Sequence, residues 1–219
     1  MEIVLIFGGF VALIVVLVII GIYYERKRRE ELERLAASMR LQYSPNGLKT
    51  LIGELSCFNL VNTGEDRKTE CCLHGSLSDV DIAVFNYRYD TGGSSPTTYH
   101  HSVAYVQMPM QLPAFRLKPA NIFHKIGNLF GYNDIDFPTH PGFSSRYHLS
   151  GQDEQAIRKA FAPPVLEFCE AECALGLQKF NVEGKGNRLI IWKNGQLKAA
   201  EVPGMLRTVT QLGELFRVR

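Results

Sequence analysis

Residues 3–24 read IVLIFGGFVALIVVLVIIGIYY, from Ile3 to Tyr24 without one charged side chain, and the next five residues, Glu25 to Arg29, read ERKRR. As a helix rising 1.5 Å per residue this stretch is about 33 Å long, against a hydrocarbon layer of roughly 30 Å. Gly8, Gly9 and Gly21 are costly in a soluble helix but ordinary in lipid, where each backbone group must bond within its own helix. Tyr23 and Tyr24 stand where an aromatic belt meets the headgroups. The segment 1–24 is therefore expected to be a transmembrane anchor. A cleaved signal peptide would show a basic leader, a shorter apolar core and a small-residue exit. Here Glu2 sits in the leader and Tyr-Tyr-Glu-Arg at the exit.

The basic knot of Arg26, Lys27, Arg28 and Arg29 predicts the orientation, because positive residues beside a span stay in the cytoplasm. The expected topology is a single pass through the cell membrane, N-terminus outside and the remaining chain cytoplasmic. The bilayer is then a partner, and the same four residues form a candidate membrane-surface site for anionic headgroups. The chain carries 24 basic and 22 acidic residues. Taking away the four of the knot, and Glu2 and Glu25, leaves residues 30–219 balanced at 20 against 20. A neutral domain with one local basic patch argues against a nucleic-acid partner. Apolar residues make up 46% of the 219 and charged residues 21%, the composition of a folding chain.

Residues 25–42 are expected to continue as a basic juxtamembrane helix. Leu32, Leu35, Ala36 and Met39 fall on one stripe, and Glu25–Arg29 and Glu30–Arg34 are spaced for i,i+4 pairs. The stripe suits either a dimer seam or docking on the chain's own domain. Tyr43-Ser-Pro-Asn-Gly47 is expected to stop the helix. Residues 43–219 then form one cytoplasmic domain.

Strand-like sequence follows. Glu70–Leu77 alternates, and 79–89 alternates through Val80, Ile82 and Val84 before changing parity to Phe85, Tyr87 and Tyr89. The switch implies a bulge or a strand covered on both faces. The Gly/Ser/Thr-rich stretch Asp90–Thr98 reverses the chain into Tyr99–Met108. Pro109, Pro113 and Pro119 around Phe115–Leu117 predict an edge strand. A helix over 122–130 is expected, stopped by Gly131, and residues 131–143 have no period. Ser144–Leu149 reads as extended, and Ser150 with Asp153 resembles a capping box. Pro163-Pro164 separates two helices. Strands Leu177–Val182 and Arg188–Lys193 flank a turn over 183–187, Asn194-Gly195 turns again, and a final helix buries Met205, Leu206, Val209, Leu212 and Phe216. The predicted class is α+β, with an N-terminal transmembrane helix followed by a mainly antiparallel sheet and packed helices.

Three constellations could carry chemistry. Asp134, Asp136 and His140 share the aperiodic loop and could bind a divalent cation or do acid–base work; turn chemistry accounts for the same residues. Cys72 and His74 share a face of one extended segment, and Cys169 and Cys173 are i,i+4 on a helix, which together would make a Cys₃His zinc site if the fold joined them. Free cysteine is also a small core residue. His100 and His101, adjacent in a strand, must face opposite ways, so one packed and one exposed is expected. No phosphate-binding loop, H-E-x-x-H or G-x-S-x-G motif is present, and no cofactor is expected.

The run Phe130-Gly-Tyr-Asn-Asp-Ile-Asp-Phe-Pro-Thr-His-Pro-Gly-Phe-Ser-Ser-Arg-Tyr-His-Leu-Ser-Gly151, with Phe85-Asn-Tyr-Arg-Tyr89 and Leu112-Pro-Ala-Phe-Arg-Leu-Lys-Pro119, resembles an uncharacterised family of bacterial single-pass membrane proteins with a small cytoplasmic domain. That resemblance implies the same topology and transfers no catalytic residue.

The expected function is a membrane-tethered cytoplasmic module that binds a partner protein or a small ligand without catalysis of its own. The alternative is a membrane-anchored enzyme, a metal-assisted hydrolase using Asp134, Asp136 and His140. Self-association through a small-residue patch at Gly8 and Ala12 is a third option.

Overall fold

The structure is a computed structural model that describes residues 2–77, 80–120, 134–175 and 179–217, without the side chains of residues 2–6, 8 and 172–175. The expected helix over 122–130 lies outside the described residues.

Helix α1 (Glu2–Ser38) runs unbroken for 37 residues, about 55 Å. Its apolar half is bare, with Leu17 58% exposed and Phe7, Leu13 and Ile22 similarly open. Lower down, Leu32 and Ala36 are 0% and 1% exposed and belong to the main core, with Leu35 and Met39 packed beside them. The stripe therefore docks on the chain's own domain. The pairs Arg29–Glu25 (2.8 Å) and Arg34–Glu30 (3.9 Å) form as spaced. The helix ends at Ser38, just short of the expected stop. Arg40 takes a left-handed conformation (φ 58°), and Leu41 N–H bonds the Ala36 carbonyl at 2.9 Å, which closes the last turn before the Tyr43–Gly47 turn. Gly47 has φ +69°, and a Cβ there would stand 2.0 Å from the Thr69 carbonyl oxygen, so this turn needs glycine.

Six strands form one antiparallel sheet among the described residues: β1 (Gln42–Ser44), β2 (Glu65–Leu77), β3 (Val80–Asp90), β4 (Thr98–Pro119), β5 (Tyr147–Gly151) and β6 (Asn181–Asn194). The order is β1-β2-β3-β4-β5, and β6 lies along the other side of β4. The spine is β4. Its first half pairs with β3 and β6, its second half with β5 and β6.

The α+β class holds, and two sequence expectations about strands are corrected. The proline-rich segment belongs to a central strand instead of an edge. The register of β4 against β6 slips between Gln107 and Leu112 and again between Leu112 and Phe115, so Pro109 and Pro113 sit where the ladder is already interrupted. The two short strands around residues 183–187 are one strand, because Gly184 and Gly186 keep pairing with Phe115 and Leu112 across the expected turn. The parity change in β3 reflects cover on both faces, since β3 itself pairs with β4 without a slip. The bulges lie in β2, at Asp66 (φ 45°) and Cys71 (φ 50°).

One face of the sheet carries helix α2 (Lys49–Glu54) and a 3₁₀ turn (Leu60–Asn62) over Phe85, Tyr87, Val103 and Tyr105. The other carries α1, α3 (Pro141–Arg146), α4 (Glu154–Ala160), α5 (Pro163–Leu175) and α6 (Val202–Arg217). Residues 144–146, expected to be extended, finish α3, which Pro141 initiates; the strand starts at Tyr147. Asp153 alone caps α4, accepting from Ala156 N–H at 2.9 Å, while Ser150 stays in β5. All five residues expected inside the last helix are buried in α6. Phe115, Phe161 and Phe216 meet edge-on or tilted at 4.9–5.5 Å and tie β4 to α4 and α6.

Candidate functional site: a polar cavity on the open half of the sheet

Asp134 and Asp136 alternate outward while Ile135 and Phe137 between them enter the core. Asp134 clasps β5: Oδ1 accepts Leu149 N–H at 2.9 Å and Oδ2 stands 2.7 Å from His148 Nδ1. Asp136 contributes its backbone carbonyl to Arg158 at 2.7 Å. His140 pairs with Thr139 Oγ1 at 3.0 Å, and its carbonyl accepts Phe143 N–H at the start of α3. Each of the three supports local structure.

The sulfur constellation separates for a topological reason. By strand alternation Cys71 points to the face that carries α1 and Cys72 to the opposite one, where it joins Phe58 and Phe85. Cys169 packs on the face with Cys71. The sheet therefore stands between Cys72 and Cys169. His74 bonds Ser44 across the β1–β2 pair at 3.0 Å, and the Cys173 side chain lies outside the described residues. Among the described residues, no three His, Cys, Asp or Glu side chains gather in a way that could hold a metal ion. His101 is buried, stacked on Tyr89 and edge-on to Trp192, and burial pulls its pKa down to about 4. His100 is half-buried opposite Arg88.

The basic knot divides by direction. Arg26 is 81% exposed beside Glu30, and Lys27 is exposed. Arg28 turns inward and is 14% exposed. It donates to the Leu197 carbonyl at 3.0 Å, to Glu25 at 2.7 Å and to Cys71 Sγ at 3.7 Å. Burial opposes ionisation of Glu25, but bonds from Arg28 and Arg29 outweigh it and hold that carboxyl below its usual range. Arg28 is thus a rivet between helix and sheet, leaving Arg26 and Lys27 as the outward-facing part of the proposed membrane-surface site.

The structure supplies a site that the sequence did not reveal. On the face that carries α2, the far half of β4 bears charges instead of core residues. Arg116 sits directly between Ser150 of β5 and Glu183 of β6, and Lys118 lies opposite His148. Glu183 Oε2 accepts Asn59 N–H at 2.9 Å and Asn59 Nδ2 at 3.4 Å; Oε1 is 3.7 Å from Arg116 Nε. The two side chains are 4% and 11% exposed. Burial, reinforced by Arg116, pulls the Lys118 ammonium below its usual range. This pair walls a cavity of about 240 Å³ that Asn59, Ser150, Gln152 and Lys185 share, with Phe58 and Ala114 as apolar surface. A buried ion pair is a weak source of stability, because desolvation offsets the attraction and an apolar pair often does as well. The cavity it walls joins polar side chains to a small apolar surface, the general make-up of a ligand pocket.

No family model matches this sequence, and no curated protein matches it. Among solved structures, the chain is similar to the mycobacterial trehalose monomycolate transport factor A, TtfA, with a TM-score of 0.64 at 14% identity. The alignment covers 88% of this chain and 96% of that one. At that identity the likeness shows a shared fold.

Proposed function

We propose that this protein is a membrane-tethered cytoplasmic module that binds a partner protein or a small ligand and does no chemistry itself. The observation that carries this reading is the continuity of α1: the same unbroken helix presents a bare apolar rod and then enters the domain core at Leu32 and Ala36. A helix anchored at both ends holds the domain at a fixed height and angle. Tyr43 and Pro45 line a cleft with Gly21 and Ile22, so the first turn of the domain stands beside the last apolar turn of the rod. The four basic residues after Tyr24 support a cytoplasmic domain. The shared fold with a protein described as a transport factor supports an accessory role at a membrane. The hydrolase alternative draws no support from Asp134, Asp136 and His140, whose polar atoms serve β5, α3 and α4.

Fractionation of cells expressing the full chain tests the tether. The protein should pellet with membranes, leave them only in detergent, and keep its C-terminal domain when protease is added outside intact cells. Photo-crosslinkers at Arg26 and Lys27 should capture a discrete membrane partner or lipid. Recovery in the soluble fraction, external cleavage of the domain, or hydrolase turnover abolished by Asp134→Ala would overturn the reading.

A further inference from the structure

We propose that the end of the sheet formed by the β3–β4 turn rests on the lipid headgroups beside α1, a second membrane contact made by the folded domain itself. The inference deepens the tether reading and rests on it, since it takes the span before Glu25 to lie in lipid.

Three contacts fix how the sheet runs against α1. At the lower end Leu41 lies against Gly75, where an added Cβ would stand 3.1 Å from the leucine side chain. Higher, Arg28 donates to Cys71 Sγ at 3.7 Å and to the Leu197 carbonyl at 3.0 Å, and Leu197 N–H bonds Asn86 Oδ1 of β3. Higher again, Gly21 and Ile22 face Tyr43 and Pro45 across the cleft, and the Pro45 carbonyl accepts Cys71 N–H at 3.0 Å. As α1 is followed back towards its apolar half, β2 is therefore followed from Gly75 back to Cys71. The N-terminal end of β2, with the β3–β4 turn beside it, points the same way as the apolar rod. Register carries this level across the sheet. Gly47, just after the cleft, packs on Thr69; Thr69 pairs with Tyr87, Tyr87 with His101 and His101 with Asn194. Tyr89 and Tyr99 pair with each other two residues farther on, about 7 Å nearer the rod's apolar end, and the turn between them reaches beyond.

The chemistry of that end suits headgroups. Residues 91–99 read TGGSSPTTY without one charge, and Gly92 to Tyr99 are all exposed. Tyr99, 43% exposed, stacks on Tyr89 at 5.3 Å, and Tyr89 stacks on His101 at 5.5 Å, so an aromatic column bares its outermost ring there. A ring with a polar tip settles at the level of the headgroups, where one end is wet and the other is not. The charges at the same end nearly cancel: Lys49, Arg67, Lys68 and Arg88 stand against Glu65, Asp66 and Asp90. Asp66 is itself paired with Lys68 at 2.8 Å and with Arg88 at 3.2 Å. Near balance matches a zwitterionic lipid surface. These charges and the exposed backbone of the turn keep the contact out of the hydrocarbon, which offers them no partners. A rod alone lets the domain tilt with the helix, whereas a second point of contact fixes the tilt and turns the far half of β4, with β5, α3 and α4, away from the bilayer.

Fluorescence quenching from the bilayer tests the contact. The full chain is reconstituted in phosphatidylcholine nanodiscs, with Trp192, the single tryptophan, replaced by Trp192→Phe and a new reporter introduced by Tyr99→Trp. With a nitroxide on the lipid headgroup this reporter should lose about half its emission or more, and less with a nitroxide deep in the acyl chain, as expected of an interfacial aromatic. Lys159→Trp in the same background, exposed on α4 at the far half of β4, should be unaffected by either label. Should Tyr99→Trp disturb the stack on Tyr89, Ser95→Trp in the exposed turn supplies the same readout. Equal emission with and without the headgroup label, from a chain that is in the nanodisc, overturns the proposal and leaves the aromatic end free for a protein partner. Stronger quenching by the deep label, or equal quenching of Lys159→Trp, overturns it as well. Each of these results leaves the tether standing, because incorporation into the nanodisc reads the tether separately. A chain that stays outside the nanodisc overturns both.

Discussion

Truncating Leu32 to alanine tests whether the lower half of the long apolar helix is a structural part of the domain. Leu32 is fully buried in the main core. The change deletes three carbons, worth about 2.4 kcal/mol in transfer alone at about 0.8 kcal/mol per methylene. A leucine cavity that the surroundings fill only partly raises the cost to about 3–4 kcal/mol. For a domain of this size each kcal/mol moves the melting temperature by roughly 2–4 °C, so a fall of about 6–16 °C is expected. The single tryptophan, Trp192, is packed against the opposite-face core and reports domain unfolding by fluorescence in detergent micelles. The control is Leu17→Ala, on the bare half of the same helix, which should shift the melt by less than about 2 °C. Removing residues 1–24 should leave the melt intact, whereas removing 1–38 should abolish it. If Leu32→Ala melts with Leu17→Ala, the helix is a detachable strut and the fixed-orientation reasoning fails.

Asp134→Ala should destabilise the domain by about 1–3 kcal/mol in urea, because Leu149 N–H loses its acceptor; Asp134→Asn, which keeps an oxygen there, should cost less, and Asp136→Ala should be near neutral. Parity among the three would refute the clasp. Alkylation by iodoacetamide at pH 8, read by mass spectrometry, should modify half-buried Cys57 first: burial pushes Cys72 up to about 12 and also raises Cys169, so both should react only on unfolding. Labelling of Cys72 at the rate of Cys57 would contradict its placement. His101 is held neutral by burial, with a folded pKa of about 4 against 6.5 in the unfolded chain. The native state then binds fewer protons between those values, so this contribution is complete above pH 6.5 and lost as pH falls towards 4. His101→Phe should flatten that part of the pH–stability profile; an unchanged slope would exclude His101 as its source.

Local pattern carried much of the architecture. The apolar run from Ile3 to Tyr24, the stripe at Leu32 and Ala36, the strand parity of β3 and the buried face of α6 all follow from residue spacing, because each element must present an apolar face at its own period. Prolines and glycines misled it. Pro109, Pro113, Gly184 and Gly186 look like strand ends, but pairing with long neighbours carries β4 and β6 through them. The sulfur constellation failed because Cys72 and Cys169 pack on opposite faces of the sheet, which only the placement of the helix decides.

The long apolar helix and the fold class were legible along the chain, since hydrophobicity and periodicity are properties of consecutive residues. The polar cavity was not. Glu183 stood in an apparent turn and Arg116 in an apparent edge segment, 67 positions apart by number, each indistinguishable from a solvated surface charge. Only the register of β4 against β6, with Asn59 delivered from the loop above, removes water from both and turns two ordinary ions into one buried pair at a cavity wall. Burial is a property of tertiary packing, and it is burial that gives those charges their chemistry.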